Sequence, residues 1–172
     1  MNRLSCFAIA FAVLAAGCGS STTSPSNQNT VLFTTTVLPA NENPPIGNAE
    51  NTGSGTMTIT FHLTRDGSGN ITAGTADFAG SFSGFPAGTS LTAAHIHGPA
   101  DAKTNAPVLI STQLQSGDVT MPAGSGTLNK TNITITPVEL AGQIINNPGN
   151  YYFNIHTQQN PGGVARGQLV KQ

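Results

Sequence analysis

Three of the four histidines lie in two short segments that could bind a metal ion. His95 and His97 are two residues apart, and His156 lies in a second segment near the C-terminus. Alternate side chains of a strand point to the same face, so His95 and His97 share a face. Neutral imidazole is a good ligand for zinc and copper. A copper or zinc site would need a third ligand, for which His156 is the candidate, with His62 or Asp101 to complete it.

The same residues can instead form a hydrogen-bond network that holds the strands and loops together. In this alternative His95 and His97 bond to loop carbonyl groups or to Asn154 and Asp101, and Arg166 joins the network. Buried polar groups need such partners. No cysteine or acidic cluster accompanies the histidines, which favours the network over the metal site.

Arg166 and Glu42 are the charged residues whose roles the sequence leaves open. Arg166 could bind a carboxylate ligand through two hydrogen bonds. In a chain with so few charges, however, we expect it to pair internally, with Asp101 or Asp77. Glu42 lies in a proline-containing segment, so we expect a solvated loop carboxylate.

Other catalytic arrangements are missing from the sequence. It has no G-x-S-x-G turn, no phosphate-binding loop and no cysteine beyond Cys18, and most carboxylates lie in predicted turns. A redox copper enzyme would also need a charged channel to attract its substrate, for which this chain has few charges. We therefore predict no catalytic residues.

The elements that must position these residues are strands. Residues 54–64 alternate strictly between apolar and polar side chains, which predicts a half-buried strand. Similar short segments separated by Gly- and Pro-rich turns recur through the chain, without strand–helix alternation. This pattern predicts an all-β fold, an antiparallel β-sandwich of Greek-key type. Phe78, Phe82 and Phe85 are expected to pack in its core or cover one end.

One short helix is predicted near residues 137–146. Thr136, Pro137 and Glu139 have the spacing of a capping box with proline at the first helical position. Asn147, Pro148 and Gly149 would end the helix.

Composition restricts the partners of the protein. Charged residues make up 8% of the 172 residues, the formal net charge is −1, and the six Lys and Arg residues are scattered. A nucleic-acid-binding surface needs clustered basic residues. We therefore predict no nucleic-acid partner and one domain over residues 31–172.

The N-terminal segment predicts export and a membrane anchor. Residues 1–17 contain one basic residue and an apolar run, which is typical of a secretory signal peptide. Cys18 follows small residues, as in the sequence at which bacterial lipoproteins are cleaved and acylated. Residues 18–30 would be the lipidated cysteine and a flexible tether. We expect an extracytoplasmic, lipid-anchored protein of a bacterial cell envelope, attached to the outer membrane if the cell is Gram-negative.

Three blocks of the sequence resemble the CHRD domain family, first defined in the vertebrate protein chordin. They are N-E-N-P-P at residues 41–45, A-H-I-H-G-P-A at residues 94–100, and N-I-H-T…P-G-G…R-G-Q-L at residues 154–169. The resemblance implies a secreted all-β module whose bacterial members have no established biochemical activity. The family usually has an acidic residue two positions before the arginine of the last block, where this chain has Val164.

Two functions follow as hypotheses. The first is a lipid-anchored CHRD-type binding or structural module without catalysis, whose protein or small-molecule ligand the sequence does not identify. The alternative is a copper- or zinc-binding β-sandwich. For this alternative, the H-x-H-G segment at residues 95–98 is similar to that of copper/zinc superoxide dismutase.

Overall fold

The computed structural model describes residues 29–172. The predicted signal peptide, Cys18 and most of the predicted tether lie outside these residues. Within them the chain forms ten strands, one α-helix and three 3₁₀ turns. No helix in this part of the chain is both long and apolar enough to cross a membrane.

The strands form two antiparallel sheets. The first sheet has the order β10-β1-β2-β3-β7 and the second has β5-β4-β8-β9, with β6 paired to the start of β4. Their bounds are β1 Thr30–Val37, β2 Ser54–Arg65, β3 Ile71–Ser83, β4 Thr89–His97, β5 Val108–Ser111, β6 Thr120–Met121, β7 Gly126–Thr134, β8 Tyr152–Thr157, β9 Ala165–Gln168 and β10 Val170–Lys171. The neighbours β3 and β7, and β4 and β8, are not consecutive in the chain. Connections therefore cross between the sheets, as the predicted Greek-key sandwich requires.

The core lies between the inner faces of the two sheets. In β2, Met57, Ile59, Phe61 and Leu63 are buried, which confirms the alternation predicted for residues 54–64. Phe78 from the first sheet packs against Phe153 from the second, with ring centroids 5.9 Å apart. Phe82 and Phe85 are also buried, as predicted. Apolar burial of this kind is the main favourable contribution to the stability of the domain.

The α-helix, α1, spans Glu139–Asn146 and packs Leu140, Ala141 and Ile144 into the core. The predicted capping box does not form, because Val138 rather than Thr136 occupies the N-cap position and no side chain caps the helix. Instead, the amide of Leu140 bonds to the carbonyl of Pro137, and Ala141 bonds to Val138. This tight 3₁₀-type turn satisfies two of the amides that a cap would otherwise serve.

The segment between β1 and β2 packs back onto the second sheet. It contains 3₁₀ turns at Pro39–Asn41 and Ala49–Thr52. The Leu38 amide and the Asn41 side chain both donate to the backbone carbonyl of Arg166 on β9. As a result Glu42 is only 7% exposed, so the expected solvated loop carboxylate is wrong.

Candidate metal centre

The candidate site lies on the outer face of the second sheet. His95 on β4 is directly opposite Asn154 on β8, which is opposite Arg166 on β9, and His97 is opposite Tyr152. Directly opposed residues of antiparallel strands point to the same side of the sheet. The whole of β8 is buried on both faces, because loops cover the outer face. This covered face is therefore a buried polar layer rather than a solvated surface.

The structure brings the three predicted metal ligands together. One ring nitrogen from each of His95, His97 and His156 lies within 4.8 Å of the corresponding nitrogens of the other two. His95 Nδ1 is 3.2 Å from His156 Nε2. The ring centroid of His95 lies 5.5 Å from that of His97 and 5.0 Å from that of His156. The strand alternation and the pairing of β4 with β8 produce this convergence.

Backbone carbonyl groups fix two of the imidazoles. His97 Nδ1 donates to the carbonyl oxygen of Ala106, and His156 Nδ1 donates to that of Pro161, each at 2.9 Å. The Nε2 lone pairs of both rings are then free to accept. His97 Nε2 is buried and has no hydrogen-bond partner within residues 29–172. His156 Nε2 accepts from His95 Nδ1, so the metal-free cluster can be neutral throughout.

Burial keeps the three imidazoles uncharged. Burial, together with smaller contributions from charge repulsion by His156 and His97, lowers the pKa of His95 to about 4. Burial also lowers the pKa of His97 and of His156, although the hydrogen bonds to Ala106 and Pro161 oppose this in part. A histidine must be deprotonated to bind a metal, so this environment prepares the ligands near neutral pH.

The other two candidate metal ligands lie away from the cluster. His62 is exposed on β2 in the first sheet, where its Nε2 bonds to Asp77 at 2.9 Å. Asp101 is exposed, and its carboxylate accepts from the amide of Lys103. Neither belongs to the three-histidine group found in the described part of the chain. They do not complete a metal site.

The predicted ion pairs of Arg166 do not form. Arg166 is 1% exposed, whereas Asp101 lies at the surface and Asp77 is on the other sheet, bonded to His62 and to the amide of Asn132. The guanidinium group donates instead to neutral oxygens of Asn41, Ala102, Thr104 and Asn105. The arginine is satisfied internally, as predicted, but by loops rather than by an acid.

Asn154 is buried between the histidines and Arg166 in the polar layer. The predicted hydrogen bonds from the histidines to Asn154 or Asp101 do not occur in residues 29–172, since loop carbonyl groups take that role. Asn154 Oδ1 is instead buried without a hydrogen-bond partner in this region.

Sequence reasoning missed two residues of the covered face, Glu42 and Tyr152. Burial raises the pKa of Glu42 to about 7, against the opposing effect of the Arg166 charge, and its Oε1 is buried without a partner in residues 29–172. The Tyr152 ring is stacked on His97, with centroids 4.9 Å apart and an interplanar angle of 2°. Alternation places Tyr152 on the face of His156, but the only signal for Glu42 was its position in the N-E-N-P-P block.

The fold and the site together define a two-sheet antiparallel sandwich with three histidines on its covered face. The profile of the CHRD domain matches residues 33–169. The chain therefore belongs to the CHRD domain family, as its three sequence blocks predicted. Comparison with curated proteins and with solved structures gave no significant match.

Proposed function

We propose that this CHRD-family domain binds one copper or zinc ion through His95, His97 and His156. The observation that carries the proposal is the convergence of one nitrogen from each ring within 4.8 Å, on strands that already share a face. Three neutral imidazoles are a donor set that suits both metals. They also leave one coordination position for water or another ligand.

The spacing of the nitrogens supports the assignment. Metal–nitrogen bonds of about 2.0–2.1 Å in a tetrahedral site place two ligand nitrogens about 3.3–3.4 Å apart. The His95–His156 pair, at 3.2 Å, is already near this value. The remaining nitrogens are at most 4.8 Å apart, so binding requires at most a small inward movement of the rings. His95 can adjust because it is only half-buried.

The carbonyl hydrogen bonds also support a metal site. Metal-binding histidines usually donate their second ring N–H to a carboxylate or a carbonyl oxygen, which fixes the tautomer and orientation of the ring. His97 and His156 both do so here. His95 donates to His156 in the absence of an ion, so it would have to move its proton from Nδ1 to Nε2 when it binds one.

Metal content of the intact chain tests the proposal. We expect about one copper or zinc ion per chain in protein purified without a histidine tag and dialysed after loading. His97→Ala should lose the ion, because one of the three ligands is gone. His62→Ala is the matched control and should keep it, because His62 lies on the other sheet. A dialysed wild-type chain without either metal would contradict the proposal.

The second candidate function is a binding or structural module whose histidines form only hydrogen bonds. It is favoured by the direct His95–His156 hydrogen bond, which satisfies two of the rings without an ion. Under this hypothesis His97→Ala changes the stability of the protein but leaves its metal content unchanged. Superoxide, esterase and glycosidase assays of protein incubated with copper or zinc should give no turnover above background. Superoxide turnover lost in His95→Ala would instead support the superoxide-dismutase-like alternative.

We also propose that the domain acts outside the cytoplasm on a lipid anchor at Cys18. The apolar run before Cys18 and the polar segment after it support this. Because a Cys18→Ser chain cannot be acylated at that position, it should move from the membrane fraction to the soluble extracytoplasmic fraction. Equal membrane association of the two chains would contradict lipid anchoring. Because the basic residues are scattered along the chain, we expect no nucleic-acid binding, which a binding assay with the purified chain can check.

A further inference from the structure

Arg166 is a fully buried cation that holds two loops against β9. Its Nε donates to the carbonyl oxygen of Asn41 at 2.7 Å. Its Nη1 donates to Asn105 Oδ1 at 2.7 Å and to the Thr104 carbonyl at 3.3 Å, and its Nη2 donates to the Ala102 carbonyl at 3.0 Å. Among the described residues it makes no salt bridge. Burial of a charge is costly unless partners compensate it, and here four hydrogen bonds to oxygens of the two loops do so.

The aromatic ring of Tyr152 connects Arg166 to His97. The guanidinium carbon of Arg166 is 4.7 Å from the centre of the Tyr152 ring. The His97 ring is stacked parallel on the same tyrosine at 4.9 Å. Since β4 and β9 flank β8 on opposite sides, His97 and Arg166 approach the tyrosine from opposite sides. The cation and the imidazole thus hold the tyrosine ring between them.

Ala106 gives a second connection through the loop that Arg166 holds. The amide of Ala106 donates to the Tyr152 hydroxyl oxygen at 3.1 Å. The carbonyl of the same residue accepts from His97 Nδ1. Arg166 bonds to Ala102, Thr104 and Asn105 just before it. Arg166 therefore reaches His97 both through the tyrosine ring and through the backbone of this loop.

We propose that Arg166 is a positioning residue for His97, and through it for the metal centre. By holding Tyr152 and the loop from Ala102 to Ala106, it keeps the Ala106 carbonyl on His97 Nδ1. This leaves His97 Nε2 as the ligand atom. The inference rests on the proposed metal-binding function and deepens it.

The test uses Arg166→Lys in the intact chain and Zn²⁺ alone as the probe. Lysine keeps the charge but has one nitrogen, so it cannot bond to acceptors spread over two loops. Loss of a partner outside the ligand shell typically weakens metal affinity 10–100-fold, and we expect a loss of about this size in competition titrations. Nitrogen NMR of the metal-free protein should show His97 changing from pure Nδ1–H to a mixture of tautomers, which a purely structural role would not cause.

Two further variants keep the test decisive. Tyr152→Phe retains the ring but removes the hydroxyl that binds Ala106, so a smaller loss of Zn²⁺ affinity is expected. Ile59→Val, a core change in the first sheet, should leave both the affinity and the His97 tautomer unchanged. If Arg166→Lys does not fold, as judged by its circular dichroism, Tyr152→Phe decides the question.

The outcomes separate the two proposals. Unchanged Zn²⁺ affinity and an unchanged His97 tautomer in Arg166→Lys, or in Tyr152→Phe if it must decide, would overturn the positioning role while leaving the metal site intact. A wild-type chain that binds no Zn²⁺ or copper would overturn the proposed function. In that case the tautomer comparison still shows whether Arg166 positions the imidazole.

Discussion

The outer faces of the two sheets carry similar polar side chains in opposite environments. On the first sheet Thr56, Thr58 and His62 are exposed to solvent. On the second sheet Asn154 and His156 are buried beneath loops. A polar side chain on the open face can bond to water, whereas one on the covered face depends on partners within the protein. The polarity of a strand face therefore does not reveal whether the face is exposed.

Unpartnered polar atoms are concentrated around the covered face. His97 Nε2, Asn154 Oδ1 and Glu42 Oε1 all lie in this region, and each is buried without a hydrogen-bond partner within residues 29–172. An unsatisfied buried polar group costs about 1–3 kcal/mol. Several such atoms in one place call for partners that the described part of the chain does not supply. For His97 we propose that the partner is a metal ion.

Metal-dependent stability gives the largest expected difference between the two faces. With free Zn²⁺ at a hundredfold excess over its dissociation constant, binding should stabilise the fold by about 2.7 kcal/mol. For a domain of this size that raises Tm by roughly 8 °C. Thermal unfolding monitored by circular dichroism should show this rise in wild type and in His62→Ala, but not in His156→Ala. A rise of equal size in His156→Ala would place the ion elsewhere.

Glu42 gives the second comparison, because it is an acid in the segment between β1 and β2, which packs back onto the second sheet and buries it. Its pKa rises from 4.5 when unfolded to about 7 when folded. Between these values the folded state binds more protons, so the contribution of Glu42 to stability falls as pH increases. Glu42→Gln is uncharged at every pH in this range. Relative to wild type, its free energy of unfolding should therefore increase by on the order of 2 kcal/mol between pH 4.5 and pH 8.

Urea unfolding of both chains at several pH values measures this difference. A stability difference between Glu42→Gln and wild type that does not change with pH would show that Glu42 is ionised in the fold. Glu139→Gln, at an exposed position on α1, is the matched control for the effect of replacing a glutamate by glutamine.

How much could be predicted from the sequence differs between the strands themselves and the loops that cover the second sheet. Alternation identified β2 and the shared face of His95 and His97, because strand geometry is local. The sequence named His156 as the candidate third ligand, but it did not show that His156 lies near the other two, because this depends on the pairing of β4 with β8. These features depend only on backbone periodicity and on which strands pair.

The covering of the second sheet could not be predicted in the same way. Whether residues 39–53 extend into solvent or pack back depends on distant partners such as the Arg166 carbonyl, 125 positions from Asn41. The helix start was missed for a related reason, because a local capping pattern at Thr136 competed with a tight turn. Glu42 and the partners of Arg166 were misassigned because loop packing decides them.

The turn at residues 160–163 tests how tightly the loops pack against the outer face of the second sheet. Gly163 has φ of +131°, and a Cβ added there would lie 2.6 Å from Asn154 Nδ2 and 3.0 Å from Glu42 Oε1. Neighbouring Gly162 has nothing within 4 Å of such a Cβ. Gly163→Ala should therefore cost roughly 2 kcal/mol in urea unfolding, and Gly162→Ala close to zero. Equal costs would mean that the loop relaxes freely away from the sheet.

The smallest expected effect is the pH dependence that His95 gives to the metal-free fold. Its pKa falls from 6.5 to about 4 on folding, so the unfolded chain binds more protons between these values. Stability must then decrease as pH falls from about 6.5 to about 4, the opposite sign to Glu42. Measuring His95→Gln in a Glu42→Gln background removes that competing contribution.

The comparison is made in that background and in the presence of a chelator. As pH falls from 6.5 to 4, the free energy of unfolding of His95→Gln should decrease by about 1 kcal/mol less than that of its parent. The value is well below the full pKa shift because His95 is only half-buried and solvent screens its charge. If His95→Gln loses as much stability as its parent over this range, burial of His95 is not what makes the covered face sensitive to pH.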